Sequence, residues 1–278
     1  MLLIASLVLG AVGLLAARRF GLRPTLLPSL VPLAALVTGL VTVPPTLGVA
    51  PLVGWIAALQ VERRRPFGEV IAAAALPGAL QGLFLLLIVH ADAVPREELV
   101  DAMLVQVEEA GLAAPQAEYS LREIIGAVVR LQPGIEFVSV LLLAVLAYQV
   151  GQLVGARLRL GLPAPLPVRQ WRLWDQLIWV LIAAMALILV TGEGLVADLA
   201  LNAAAVMLIL YAVQGFSVSR HYLWRLGAPR PLELLYYTVL LFTSGVAALV
   251  LAGVGLMDTW FDWRRLGQVA ERTPPGGQ

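Results

Sequence analysis

Cysteine is absent from this 278-residue chain, which excludes disulfides, thiolate metal sites and cysteine nucleophiles together and leaves the redox compartment unwritten. Lysine is absent too, and all nineteen basic residues are arginine, a side chain whose planar fork suits lipid phosphate. Charge of either sign is scarce: 13% of residues are charged and 60% are apolar. That is about half the charged share of a soluble domain, so a water-soluble fold could not cover such a core. Only two histidines occur, His90 and His221. The topology derived below puts them on opposite sides of a bilayer, which removes a zinc site built on converging histidines, and His90 with Asp92 reads as an interfacial pair. There is no Walker loop, GxSxG elbow or HExxH. No histidine reaches the depth where an intramembrane serine hydrolase needs its base. The sequence therefore names no catalytic residue, no metal ligand and no cofactor, and the expectation is a protein that is not an enzyme. The arginines stand in short clusters rather than a basic stripe, which argues against nucleic acid as a partner.

Long uncharged runs are what the chain has in quantity. Phe137 to Ala156 and Leu234 to Met257 each approach or exceed the roughly 20 residues that cross about 30 Å of hydrocarbon as a helix. The expected spans are Leu2 to Ala17, Thr25 to Val43, Leu47 to Val61, Phe67 to Val89, Glu136 to Leu158, Trp174 to Val190, Asp198 to Ser217 and Pro231 to Met257. The first resembles a secretory signal in length, but Arg18, Arg19 and Arg23 follow it rather than precede it, so it reads as a membrane helix with its N-terminus outside. The third is short enough to be re-entrant, after a sharp turn at Pro44 and Pro45. The fold class expected is an all-α, polytopic transmembrane helical bundle of about eight spans, with a short amphipathic-helical external segment.

Arginine placement tests these spans independently, because short arginine-rich loops stay cytoplasmic. Thirteen of the nineteen arginines fall on one face: Arg18, Arg19, Arg23, Arg63, Arg64, Arg65, Arg157, Arg159, Arg169, Arg172, Arg220, Arg225 and Arg230. Arg264, Arg265 and Arg272 are the exception, placed outside by eight spans and inside if one is miscounted. The chain divides into N-terminal membrane helices (1–89), an external segment (90–132), C-terminal membrane helices (133–263) and a tail (264–278). In the external segment, Leu99, Met103 and Val107 alternate with Glu97, Glu98, Asp101, Glu108 and Glu109 in a helical pattern that begins at Pro95. A capping box, Ser120 with Glu123, opens a second short helix from Leu121 to Leu131. This segment reads either as a solvated cap or as a lid over a cavity.

Charges inside hydrocarbon are costly and usually functional, and none is expected at mid-depth. Glu69, Glu136, Asp175, Glu193, Asp198 and Glu233 all fall near span ends, within reach of water. Uncharged polar residues do enter the spans: Gln81, Gln149, Gln152, Asn202 and Gln214. They are the candidate ligand-binding residues, and interhelical hydrogen bonding is the competing reading. Glycine and alanine ladders accompany them: Gly78 and Gly82, Gly151 and Gly155, and Ala50, Gly54 and Ala58. These allow close helix approach, either within the chain or to a second subunit.

Trp174-Asp175, Asn202, Tyr211, Gln214-Gly215 and the closing run Leu256 to Arg265 resemble the YybS-like family of predicted bacterial membrane proteins. Members of that family are similar to the substrate-binding membrane subunits of energy-coupling-factor transporters, which hold a vitamin or metal within a helical bundle and take energy from a partner module. The resemblance implies a multi-pass protein of the bacterial inner membrane, a transporter-type subunit that binds a small molecule and lacks its own ATPase. The alternative is a non-transporting structural or assembly subunit of a membrane complex. Expected partners are membrane lipids and an energising or scaffold protein.

Overall fold

The computed structural model describes residues 2–37, 45–90, 95–109, 118–160, 162 and 167–264. Ten α-helices carry the described chain: α1 (Leu2–Phe20), α2 (Leu22–Val37), α3 (Pro45–Glu62), α4 (Phe67–His90), α5 (Arg96–Glu109), α6 (Glu118–Arg157), α7 (Leu177–Val190), α8 (Leu195–Arg225), α9 (Arg230–Phe242) and α10 (Ser244–Phe261). A 3-10 turn, Val168–Gln170, lies between α6 and α7, and no strand occurs among the described residues. Helices are what an apolar chain in lipid must form, because only they pair every backbone N–H and C=O within the segment. Two glycines mark where the chain must turn: Gly21, at φ +95°, separates α1 from α2, and Gly227, at φ +62°, separates α8 from α9. The expected pair His90–Asp92, the 273–278 end and the Pro44 half of the turn before α3 lie outside the described residues.

Among the described residues, three helical stretches are long and apolar enough to cross a membrane unaided: Phe67–Leu87, Leu121–Arg157 and Leu195–Arg225. The second belongs to α6, whose 40 residues extend about 60 Å, twice the hydrocarbon thickness. This differs from expectation. The short external helix at Leu121–Leu131 and the span at Glu136–Leu158 are one continuous helix, already helical at Glu118, and Pro133 sits inside it.

The chain forms two compact units, one of residues 1–165 with 187–202 and the other of residues 166–186 with 203–278. The core of the first is built around α3, which packs against α1, α2, α4 and α6. Val49, Ala50, Val53, Ala57 and Ala58 of α3 are buried with Leu14, Val70, Ala74, Val140 and Tyr148. Small residues let these backbones meet. A methyl group on Gly54 would lie 1.9 Å from Gly10 O, and one on Gly82 2.6 Å from Pro133 O. The Ala50, Gly54 and Ala58 ladder is therefore an internal seam, and the short third segment is the centre of its unit. A satellite cluster joins α5 to the start of α6 through Val100, Ile125 and Val129, flanked by Leu99, Met103 and Val107.

In the second unit, the apolar run expected as one span, Pro231 to Met257, is two helices bent by 112°. The break falls at Thr243, where the hydroxyl donates to Val239 O at 2.7 Å, a bond that competes with the helix ladder. Both ends of the pair lie at the C-terminal end of α8. Glu233 of α9 sits 3.3 Å from Arg220, Tyr222 donates to Trp263 O at 3.2 Å, and Arg264 donates to Ser217 Oγ at 2.7 Å. The pair α9–α10 thus enters and leaves at the same end of α8. Arg264 thereby lies at the same end of α8 as Arg169, Arg172 and Arg220, three of the arginines expected to share one face.

Candidate functional site

The five polar residues singled out from sequence occupy four separate constellations. Gln81 on α4 donates to Glu136 Oε2 on α6 at 3.1 Å. Gln152 is buried and pairs with Tyr148 one turn earlier on α6, while Gln149 is half-buried on the same helix. Asn202 on α8 accepts from Gly134 N at 2.8 Å and donates to Arg130 O at 3.0 Å and Asp198 O at 2.8 Å. Gly134 N–H and Arg130 C=O are an i, i−4 pair around Pro133 in α6. The Asn202 amide satisfies both, beside the proline that removes a neighbouring donor, and so supports α6 where sequence reasoning ended it. Gln214 accepts from Leu173 N at 3.1 Å and donates to Gly255 O at 3.0 Å. None of the five lines either cavity described below.

Two buried ionic clusters escaped the sequence reading. Asp198, expected near water at a span end, is 1% exposed. Both of its carboxylate oxygens are engaged, one by Arg96 of α5 and the other by Arg130 of α6. The three line a cavity of about 20 Å³ with Leu85, Leu86, Leu99 and Pro133, room for about one water. The sequence signal was the spacing of Asp198 and Asn202, one turn apart on one face of α8. The second cluster joins Asp258 and Arg264, whose side chains are both 0% exposed, at 2.7 Å. Arg264 Nη1 reaches Arg169 O at 3.2 Å, Trp171 O at 2.8 Å and Ser217 Oγ at 2.7 Å. Gln214 lies 3.2 Å from Asp258 Oδ2 and 3.4 Å from Thr259 Oγ1. The chain can turn back because Asp262 caps α10 in the left-handed region, φ +40°, ψ +51°, a conformation aspartate tolerates. Arg172 then holds the Asp262 carboxylate at 3.2 Å. Gly215 and Gly255 let α8 and α10 touch, since a methyl group on either would lie within 2.0 Å of Leu251 O or Tyr211 O respectively. The scattered motif in the second half is thus mostly one knot, whose members hold the end of α10 to α8.

Chemically, these clusters are compensated ion pairs rather than reacting groups. Among the described residues, no three histidine, aspartate or glutamate side chains converge as a metal site would require. Among the described residues, a larger cavity lies between α8, α9 and α10. Its volume is about 570 Å³, and it is lined by Ala205, Leu208, Ala212, Phe216, Leu240 and Ala248 among thirteen residues, all apolar or glycine. That volume lies within the roughly 300–1,000 Å³ of small-molecule sites. Small side chains of α8 and α10 line much of it.

No curated protein matches the chain. No solved structure matches it either. Its apolar helices make it membrane-embedded. Residues 1–259 match the family described as predicted membrane protein (DUF2232), and the chain belongs to that family.

Proposed function

We propose that this protein is a membrane-embedded binding subunit of transporter type, which takes a hydrophobic or amphiphilic small molecule in the groove between α8, α9 and α10. The observation that carries the reading is the 570 Å³ cavity with a wholly apolar lining. A polar vitamin would find no partners there, so the ligand expected is one that partitions into lipid. The pocket expected around Gln81, Gln149, Gln152, Asn202 and Gln214 has less support, because the side chains of Gln81, Asn202 and Gln214 bond to the protein itself. With no nucleotide-binding motif in the sequence, energy would come from a separate chain. The YybS-like resemblance and its distant link to energy-coupling-factor subunits agree with this division of labour and with the bacterial inner membrane as location.

The test is purification in mild detergent followed by mass spectrometry of retained small molecules and proteins. An apolar molecule retained by the wild type and lost from Ala248→Trp, together with a co-purifying ATPase, supports the proposal. A groove that retains nothing in either protein refutes it. The assembly-subunit reading keeps one supporting observation, the exposed carboxylates of α5 at Glu97, Glu98, Asp101, Glu108 and Glu109. The glycine ladders no longer favour it, because Gly78, Gly82, Gly151 and Gly155 are filled by Val140, Pro133, Leu14 and Leu162 of the same chain.

A further inference from the structure

The α8 residues that line the groove, Ala205, Leu208, Ile209, Ala212, Val213 and Phe216, form one stripe of the helix. Continuing it by one turn reaches Arg220. The link is physical as well as geometric. Phe216 stacks on Tyr236 at 6.4 Å and lies 6.1 Å from Tyr237, and the Arg220 guanidinium sits 5.6 Å from the Tyr237 ring. Beyond Phe216, outside the lining itself, the side chains change character. Arg220 Nη1 is buried and, although 3.3 Å from Glu233, makes no hydrogen bond of good geometry. The Tyr236 hydroxyl is likewise buried, with Ser219 beside it. Two buried donors, Arg220 Nη1 and the Tyr236 hydroxyl, therefore lie about one turn beyond the apolar lining. Buried donors are costly unless something accepts from them.

We propose that the groove binds a membrane phospholipid of the arginine-side leaflet, with an acyl chain along α8 and α10 and its phosphate at Arg220 and Tyr236. This deepens the proposed function and rests on its groove. Phosphate is the head expected because a guanidinium and a phenol both donate, and an anionic acceptor gives the strongest bond to each. A headgroup that only donates would leave both protein groups unmet. Glu233 sets the specificity. Its carboxylate partly neutralises Arg220, so a singly charged phosphodiester is accommodated with Glu233 displaced outward, and a second negative charge on the head is disfavoured.

The experiment titrates delipidated, purified full-length protein with phosphatidylglycerol and with diacylglycerol of identical chains, reading bound lipid by native mass spectrometry. The wild type should prefer phosphatidylglycerol by tenfold or more. Arg220→Gln should bring the two lipids within twofold while still binding diacylglycerol, and Arg220→Lys should keep part of the preference. Ala248→Trp should lose both lipids. Equal binding of the two lipids by the wild type overturns the phosphate assignment and leaves the groove standing. No binding of either overturns the groove itself. Displacement of phosphatidylglycerol by millimolar inorganic phosphate alone would assign the site to the free anion and overturn the lipid.

Discussion

Replacing Asp258 by asparagine tests whether the knot at the end of α10 holds the second unit together. Arg264 has a side-chain exposure of 0%, as does Asp258, so solvent screening gives no relief when the carboxylate is neutralised. The guanidinium cannot lose its proton, and its remaining partners, Arg169 O, Trp171 O and Ser217 Oγ, carry no formal charge. Breaking a buried pair from one side costs about 3–5 kcal/mol, whereas an exposed pair at a helix end would cost about 0–1 kcal/mol. The double variant Asp258→Asn with Arg264→Met removes the stranded charge as well. It should be less destabilised than the sum of the singles, with a coupling of about 2 kcal/mol or more. Unfolding titrated with sodium dodecyl sulfate in mixed micelles, followed by the fluorescence of Trp260 and Trp263, reads both quantities. A loss below about 1 kcal/mol for Asp258→Asn, or strict additivity in the cycle, refutes the reasoning.

Other positions give sharper contrasts. Gly215→Ala drives a methyl group to 1.9 Å from Leu251 O and should cost about 1–3 kcal/mol, while Gly253→Ala, with nothing within 4 Å, should be neutral or mildly stabilising; thermal unfolding of the two proteins compares them. Asn202→Leu removes the side-chain amide that bonds Gly134 N and Arg130 O. It should speed amide exchange of α6 around Pro133 without changing its far end, as measured by hydrogen–deuterium exchange. Arg96→Gln removes one of the two arginines that hold Asp198 and should raise exchange across α5 selectively, because that ion pair acts with the exposed Asp101–Arg122 pair and a small apolar cluster to hold α5 to its unit.

Hydropathy made the helices legible. The segments at Leu2, Leu47 and Phe67 appear within a few residues of where apolar runs place them, and the stripe Leu99, Met103 and Val107 faces its partner helix as its spacing requires. What hydropathy cannot carry is direction and partnership. The run from Pro231 to Met257 is apolar throughout, so the reversal at Thr243 leaves no trace in composition. Pro133 and Gly134 read as a helix end because the compensating amide, Asn202, is 68 residues away from Gly134 in sequence. Asp198 was assigned to water because it opens an apolar run, yet α8 begins three residues earlier and two arginines from distant helices cover it. Arg264 follows the final apolar run, and a residue in that place looks like tail until its partners at positions 169, 171 and 217 are known. A glutamine within an apolar helix announces that it needs a partner; for Gln214, the partner proved to be α10 and the backbone at Leu173.

The hairpin course of α9 and α10 alters the arithmetic of sidedness for the whole polypeptide. A hydrophobic stretch of crossing length that returns to its starting leaflet adds nothing to the parity of crossings, so a counting rule that treats every such stretch as a passage inverts the assigned address of the carboxyl end. A fluorescent protein fused after Gln278 would then mature and shine in the compartment that holds Arg169 and Arg172, and a phosphatase fused there, active only across the membrane, would stay dark.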